Sequence, residues 1–486
     1  MKQILTVCMM TLMFAAWQGE ATAQRYETPE EQAKAERKLD RKKILHSAEM
    51  RRDTDDALIT IPEGYPEAMD FTVAKTPPAV DFAIIQGFEP WDLPSYDHRE
   101  GGIYGGWGDV TQGPDGCFYF SIGNHMSVGG NAWIIRYDPA TKTQKIVVDL
   151  RETIDAQPGQ WVDGKFHGDP DIGPGGDMWL LTFFGPGPTA EDMEDLYTGS
   201  WLIHHNIFTG ETENLGIPLE GESWPYHCYD SERGLLFGVG AIKGCVIAYD
   251  TKERRMLYGA PPKDNITWYE RGVMLDSDTG RIYTTDSPMT PADNWRDRYK
   301  GPQHFAYYER RNNTFVRMNA IVPPHPVTGK TSPMRAHTKQ RNTDGIYWCF
   351  DVFGGMFTFD PDKDRTKSVG VNWGREGKYC SNICLSPGGR YLYYMPGADT
   401  HAYEYGTPVV QYDTTTGTKK VLAFLYDYYL DTYGYGAGGT YGIELDEKGE
   451  SLFCYVNGMF TDRERGASYG RPAMFHIHIP ESERAE

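Results

Sequence analysis

Seven turn glycines punctuate this chain, and about seven to ten residues ahead of each stands a side chain able to move a proton, hold an anion or stack on a ring. Trp107 precedes Gly116, His167 precedes Gly176, and Tyr226 with His227 precede Gly234. Arg271 precedes Gly280, Arg335 and His337 precede Gly345, Tyr379 and Cys380 precede Gly389, and Thr440 with Tyr441 precede Gly449. Further along each repeat come His125 in Gly-Asn-His, Asp286 in Thr-Thr-Asp and His401 after Met395-Pro-Gly, with Arg463 and Arg465 adding cations near the end. Histidine and tyrosine exchange protons, and the fork of an arginine takes a carboxylate bidentately. Together they suit removal of the proton beside a uronate carboxylate, followed by β-elimination of the C4 substituent. In that reading Arg271 holds the carboxylate and His167 or His227 is the base. His125 or a tyrosine, with Tyr226 and Tyr379 competing, assists the leaving oxygen. Trp107, Arg335, His337, Tyr441 and His401 are candidate substrate-binding residues. A lone histidine at a strand start is commonly just a hydrogen-bonded structural residue, and Arg271 beside Glu270 or Asp286 could be a simple ion pair. Convergence from several repeats is what raises the set above that reading. His204, His205, His476 and His478 sit in third strands and read as structural.

The elements that must position these residues are short strands. Around the seven glycines run Gly-Pro-Asp-Gly-Cys-Phe-Tyr, Gly-Pro-Gly-Gly-Asp-Met-Trp, Asp-Ser-Glu-Arg-Gly-Leu-Leu-Phe and four cognate stretches. Each is a tight turn between apolar runs, where glycine takes positive φ without a Cβ clash. Each is followed by a third strand and, in most repeats, by another turn and a fourth. Seven copies at intervals of about 45 to 65 residues lie in the range that implies propeller blades, since a four-stranded blade buries its faces only against neighbours. The seventh copy runs out after its third strand, so an early strand at 81–88 is expected to close it. The expected fold is all-β: a seven-bladed β-propeller of four-stranded antiparallel blades, the last closed by an N-terminal strand.

Other totals bound the function. Among 486 residues the formal net charge is −20, which argues against nucleic acid or an anionic membrane surface as partner. Residues 1–23 read as a secretory signal, with Lys2, an apolar run and Ala21-Thr-Ala23 before Gln24, and the run is too short for a membrane span. Residues 24–77 read as a charged helical arm and linker, and 78–486 as the propeller. A periplasmic or secreted location follows from the signal. The scattered cysteines read as buried small hydrophobes, with Cys380-x-x-x-Cys384 spaced too far along one strand to bridge.

No Gly-x-Ser-x-Gly, His-Glu-x-x-His or phosphate loop is present, which leaves serine-hydrolase, zinc-protease and nucleotide readings without support. With Gly164-Lys-Phe-His167 and Gly-Pro-Asp-Gly-Cys-Phe-Tyr-Phe-Ser-Ile-Gly-Asn-His125, the chain resembles the propeller polysaccharide lyases, among them ulvan lyases and rhamnose–glucuronate lyases. The resemblance implies an exported lyase acting on an acidic oligosaccharide or polysaccharide, with a first-strand histidine matched by His167, a second-strand histidine matched by His125, and Arg271 as the arginine. It departs from the family in splitting the histidine pair between two blades. No cofactor is required for such a mechanism, and a structural or catalytic calcium, zinc or manganese ion is left open. Two other enzymes fit the scaffold: a rhamnosidase-like hydrolase, and a metal-dependent oligouronate lyase with His227 and His337 as ligands. A non-catalytic propeller binding glycan or protein is the alternative of a different class.

Overall fold

The computed structural model describes residues 50–63, 65, 70–85, 103–124, 130–185, 187–262, 266, 271–287, 298–398, 400–464 and 466–484. The signal segment, residues 24–49 and His125 lie outside the described residues.

Seven antiparallel sheets follow one another along the chain and form a seven-bladed β-propeller. Blade 1 runs Val110–Gln112, Phe118–Gly123, Ala132–Asp138 and Thr143–Asp149. Blade 2 runs Lys165–Phe166, Asp177–Phe183, Leu202–Asn206 and Thr212–Asn214. Blade 3 opens with Tyr226–Asp230, blade 4 with Met274–Asp276, blade 5 with Met334–His337 and blade 6 with Cys384–Leu385. Blade 7 opens with Tyr435–Gly439 and Ile443–Leu445, both paired to Ser451–Phe460.

The hairpin glycines explain the repeat. Gly116, Gly176, Gly234, Gly280, Gly345, Gly389 and Gly449 all hold φ between 64° and 83°, the left-handed region closed to most side chains. Second strands are largely buried because a neighbouring blade covers each face: every residue of Leu235–Val239 and of Phe118–Gly123 is buried. Outer strands meet water and become polar, as in Thr143–Asp149 and Arg365–Val371. Between blades the packing is aromatic. Phe305 of blade 4 stacks on Phe359 of blade 5 at 3.9 Å, and Phe118 on Phe453 joins blades 1 and 7 at 4.8 Å. The seven described cysteines are free and buried, so Cys380 and Cys384 form no bridge.

Ring closure occurs as expected, through the strand Ala79–Ile84; residues 86–88 of the expected span lie outside the described residues. It pairs antiparallel with Ala473–His478, Ala79 opposite His478 and Ile84 opposite Ala473. The segment expected as a helical arm and linker is, from residue 50 onward, built onto the ring. Arg51–Asp53 extends blade 7 beyond the closing strand, and Thr72–Val73 pairs parallel with the outer strand of blade 6. Leu58, on the 3-10 turn between them, is fully buried in the core shared by blades 6 and 7. Met50 is likewise buried, so Met50 and Leu58, apolar points of this charged stretch, turn inward against the ring.

Asp81 locks the seam. Its carboxylate is buried and accepts from Arg52 Nε at 2.8 Å, Arg52 Nη2 at 2.6 Å, Lys142 Nζ at 2.7 Å and His478 Nε2 at 2.8 Å. Burial opposes its charge, but these donors hold its pKa well below the ordinary carboxylate range. Lys142 comes from blade 1, so one carboxylate joins the closing strand to its two neighbouring strands of blade 7 and to blade 1.

Candidate functional site

Two inner strands set the architecture of the channel lining. In blade 2, Lys165, His167, Asp169 and Asp171 alternate along one edge, as the two-residue period of an extended chain requires. In blade 5 the pairing skips from Met334–Asp351 to Ala336–Phe350, which leaves Arg335 as an extra residue in a β-bulge. A bulge re-aims the side chain it carries. Arg335 is buried, donates from Nε to Tyr379 Oη at 2.5 Å and from Nη1 to the carbonyls of Arg271 and Ser381 at 3.3 Å each. Arg271, Arg335 and Tyr379 are thereby brought together from blades 4, 5 and 6.

His167 belongs to this group. It is buried, and its Nδ1 reaches no hydrogen-bonding partner among the described residues. Its pKa is driven well below the usual histidine value, first by burial and then by the charges of Arg271, Lys165 and Arg335. His167 is therefore a neutral imidazole among cations. Lys165, which sequence reasoning passed over, lies beside it. Its Nζ is 4.8 Å from the centre of the Trp107 ring and 5.2 Å from that of Phe183. Burial and Arg271 push its pKa well below that of an ordinary lysine.

The other expected residues divide. Tyr226 donates from Oη to Asp169 Oδ1 at 3.0 Å, so its proton is already engaged. His227 is fully buried, packs its ring on Gly168, and reaches no hydrogen-bonding partner of normal geometry among the described residues. Burial lowers its pKa to about 4, against the opposing pull of Asp169. His337 spans two blades: Nε2 donates to the Val273 carbonyl at 2.8 Å and Nδ1 faces the Thr338 carbonyl at 3.2 Å. Burial lowers its pKa, and the one N–H of the neutral ring is spent on a backbone carbonyl. Trp107 is only 4 % exposed, with Tyr469 stacked at 5.7 Å and the lysine on its ring, so it supports Lys165 and is no open platform for a sugar. Tyr441 is buried against Tyr379. His401 is half-exposed on the 3-10 turn Thr400–Tyr405, where Nδ1 meets Glu404 at 3.2 Å.

One step further along the inner strands the lining turns acidic. Asp109, Asp169, Asp171 and Glu444 surround Lys339, which donates to Glu444 Oε2 at 2.9 Å and to the Val110 carbonyl at 3.1 Å, with Asp109 Oδ2 at 3.9 Å. Asp109 Oδ1 also accepts from the Val110 amide at 2.7 Å and from Asn382 Nδ2. Burial, and then the mutual repulsion with Asp169, pushes the pKa values of Asp109 and Asp171 up. The signal for both levels was present in Lys165-Phe-His-Gly-Asp-Pro-Asp171, whose polar residues fall on every second position. Among the described residues, one group of three side chains has ligand atoms close enough for a metal: Asp81, His476 and His478. There Asp81 already carries Arg52, Lys142 and His478, and two fixed cations beside it disfavour a metal ion.

No protein-family profile and no curated protein matches the chain. Among solved structures, the WD40 repeats of RRP9 superpose with a TM-score of 0.47 at 8 % identity, covering 84 % of this chain and 100 % of that one. Sqt1 of Saccharomyces cerevisiae gives 0.44 at 9 % identity, covering 76 % and 84 %.

Proposed function

We propose that this protein is an exported lyase that cleaves an acidic, uronate-containing glycan by β-elimination at the channel level of His167. The observation that carries the reading is a neutral, buried histidine surrounded by Arg271, Arg335 and Lys165. A base must be unprotonated, and an α-proton becomes removable only when its carboxylate is neutralised. Arg271 and Arg335 supply the neutralising charge, with the Arg335 fork fixed by the bulge and by Tyr379. His167 takes the proton at C5, the electron pair forms the C4–C5 double bond, and the C4 oxygen leaves with a proton. Tyr379 is the better donor of that proton. Its oxygen accepts from Arg335, so its own hydrogen remains to be given, whereas Tyr226 already donates to Asp169. His125, outside the described residues, stays the second candidate from the sequence.

Incubation with a panel of glucuronate- and galacturonate-containing glycans, followed by ultraviolet absorbance of the unsaturated product, tests the reading. Saturated products throughout would refute it. They would favour a hydrolase, for which the raised Asp109 beside Asp169 is the supporting observation. Binding of acidic glycan with no product at all would make the channel a recognition site.

A further inference from the structure

We propose that Lys165 completes, with Arg271 and Arg335, a seat for the substrate carboxylate, and that the seat takes up a proton on Lys165 when the carboxylate enters. The inference rests on the acidic-glycan reading and adds a residue and a linkage to it.

The geometry comes first. Lys165 is buried on the inner strand of blade 2, two residues before His167. Its ammonium lies over two aromatic rings, those of Trp107 from blade 1 and Phe183 from its own blade. Among the described residues no hydrogen bond to Nζ and no carboxylate paired with it is found. Among the described residues the charge acting on it is Arg271 from blade 4; Arg335 from blade 5 acts on the adjacent His167, itself a neutral imidazole. Asp163, two residues earlier, is turned elsewhere, held by Thr182 and Trp161. Asp109 and Asp169 are engaged with Asn382 and Tyr226 one step further along. A long amine side chain held in an interior, with no anion beside it among the described residues, is a place built for an anion that arrives.

The linkage follows by electrostatics. Burial and Arg271 both disfavour the ammonium form in the free protein. A carboxylate bound against Nζ reverses that balance, because an opposite charge at contact favours the charged amine. Between the pH at which the free amine titrates and the higher pH at which the occupied one does, binding draws a proton from solvent.

Titration calorimetry on the full-length protein with glucuronate, in two buffers of widely different ionisation heat, reads this directly; glucose is the neutral control. The expected result is glucuronate binding with uptake approaching one proton above neutral pH, and no comparable binding of glucose. Lys165→Arg keeps a permanent charge, so it should bind glucuronate with little uptake. Lys165→Met should weaken binding by about 10-fold or more, the scale of one charge-assisted hydrogen bond. Uptake should survive in His167→Gln. Equal uptake in the wild type and Lys165→Arg, loss of uptake in His167→Gln alone, or glucuronate binding no better than glucose would overturn the proposal. Proton-linked binding without unsaturated product from any glycan upholds the seat while removing the lyase reading. Turnover with uptake unchanged in Lys165→Arg does the reverse.

Discussion

Replacing Asp81 by asparagine tests how the ring is held shut. The native carboxylate accepts four charge-assisted hydrogen bonds of 2.6–2.8 Å from Arg52, Lys142 and His478, and it is 1 % exposed. A hydrogen bond to a charged group contributes roughly 1.5–3 kcal/mol when buried. Here Arg52 and Lys142 are 49 % and 36 % exposed, so water recovers part of what they lose. Asparagine keeps one acceptor and the volume, and leaves three donors facing one another. The expected loss is about 2–4 kcal/mol at neutral pH. The pH dependence carries the sharper test. A carboxylate whose folded pKa is depressed stabilises the fold above its unfolded pKa, near 3.9, and that contribution disappears as pH falls through the folded value. Urea unfolding at pH 7 and at pH 3 should therefore show the gap between wild type and Asp81→Asn shrinking in acid. A gap below about 0.5 kcal/mol at pH 7, or one of unchanged size in acid, would refute the account of the seam.

Five further substitutions have expected outcomes. His167→Gln should lower turnover of an acidic glycan by about 10²–10⁴-fold, and the acid limb of the wild-type pH–rate profile should fall below pH ~6.5, because the free imidazole is already neutral there. Tyr379→Phe should reduce kcat with KM changed by no more than about 3-fold, whereas Arg335→Lys should raise KM as well, since an ammonium cannot reach Tyr379 and two carbonyls at once. Gly168→Ala would place a Cβ 2.3 Å from His227 Nδ1 and should lower the urea midpoint, at a cost of about 1–3 kcal/mol. Phe305→Ala removes the ring stacked on Phe359 and should cost about 3–5 kcal/mol, read in the same unfolding assay.

The fold was legible because its signal is local. A turn glycine at positive φ recurs seven times, and apolar runs follow it at strand length. The site was legible only in its outline. Counting back from each turn found His167, Arg271 and Arg335, but the count cannot see a bulge, and it is the bulge at Arg335 that joins three blades. Nor could it show that His337 turns Nε2 to a backbone carbonyl, which depends on the distance to Val273 in another blade. Lys165 was missed for a different reason. Lysine is expected in water, and only the two rings closing over it reveal it as interior. Trp107 erred in the opposite direction: an aromatic at a channel mouth suggests a sugar platform, and burial under Tyr469 removes that use.

The seam has a consequence in time. Ala79–Ile84 pairs with Ala473–His478, so nearly the whole chain separates the two strands that join the ring. Blades 1 to 6 can assemble from their own consecutive strands as they are made, but blade 7 waits for the final residues. Until then the closing strand has an unmatched edge, and the ring is an open arc. Closure is the most non-local step of folding and pays the largest loop entropy. A circular permutant that carries residues 50–85 behind residue 484 would leave a few tens of residues between the two strands instead of nearly the whole chain. The same seven blades would then close faster, with the finished ring unchanged.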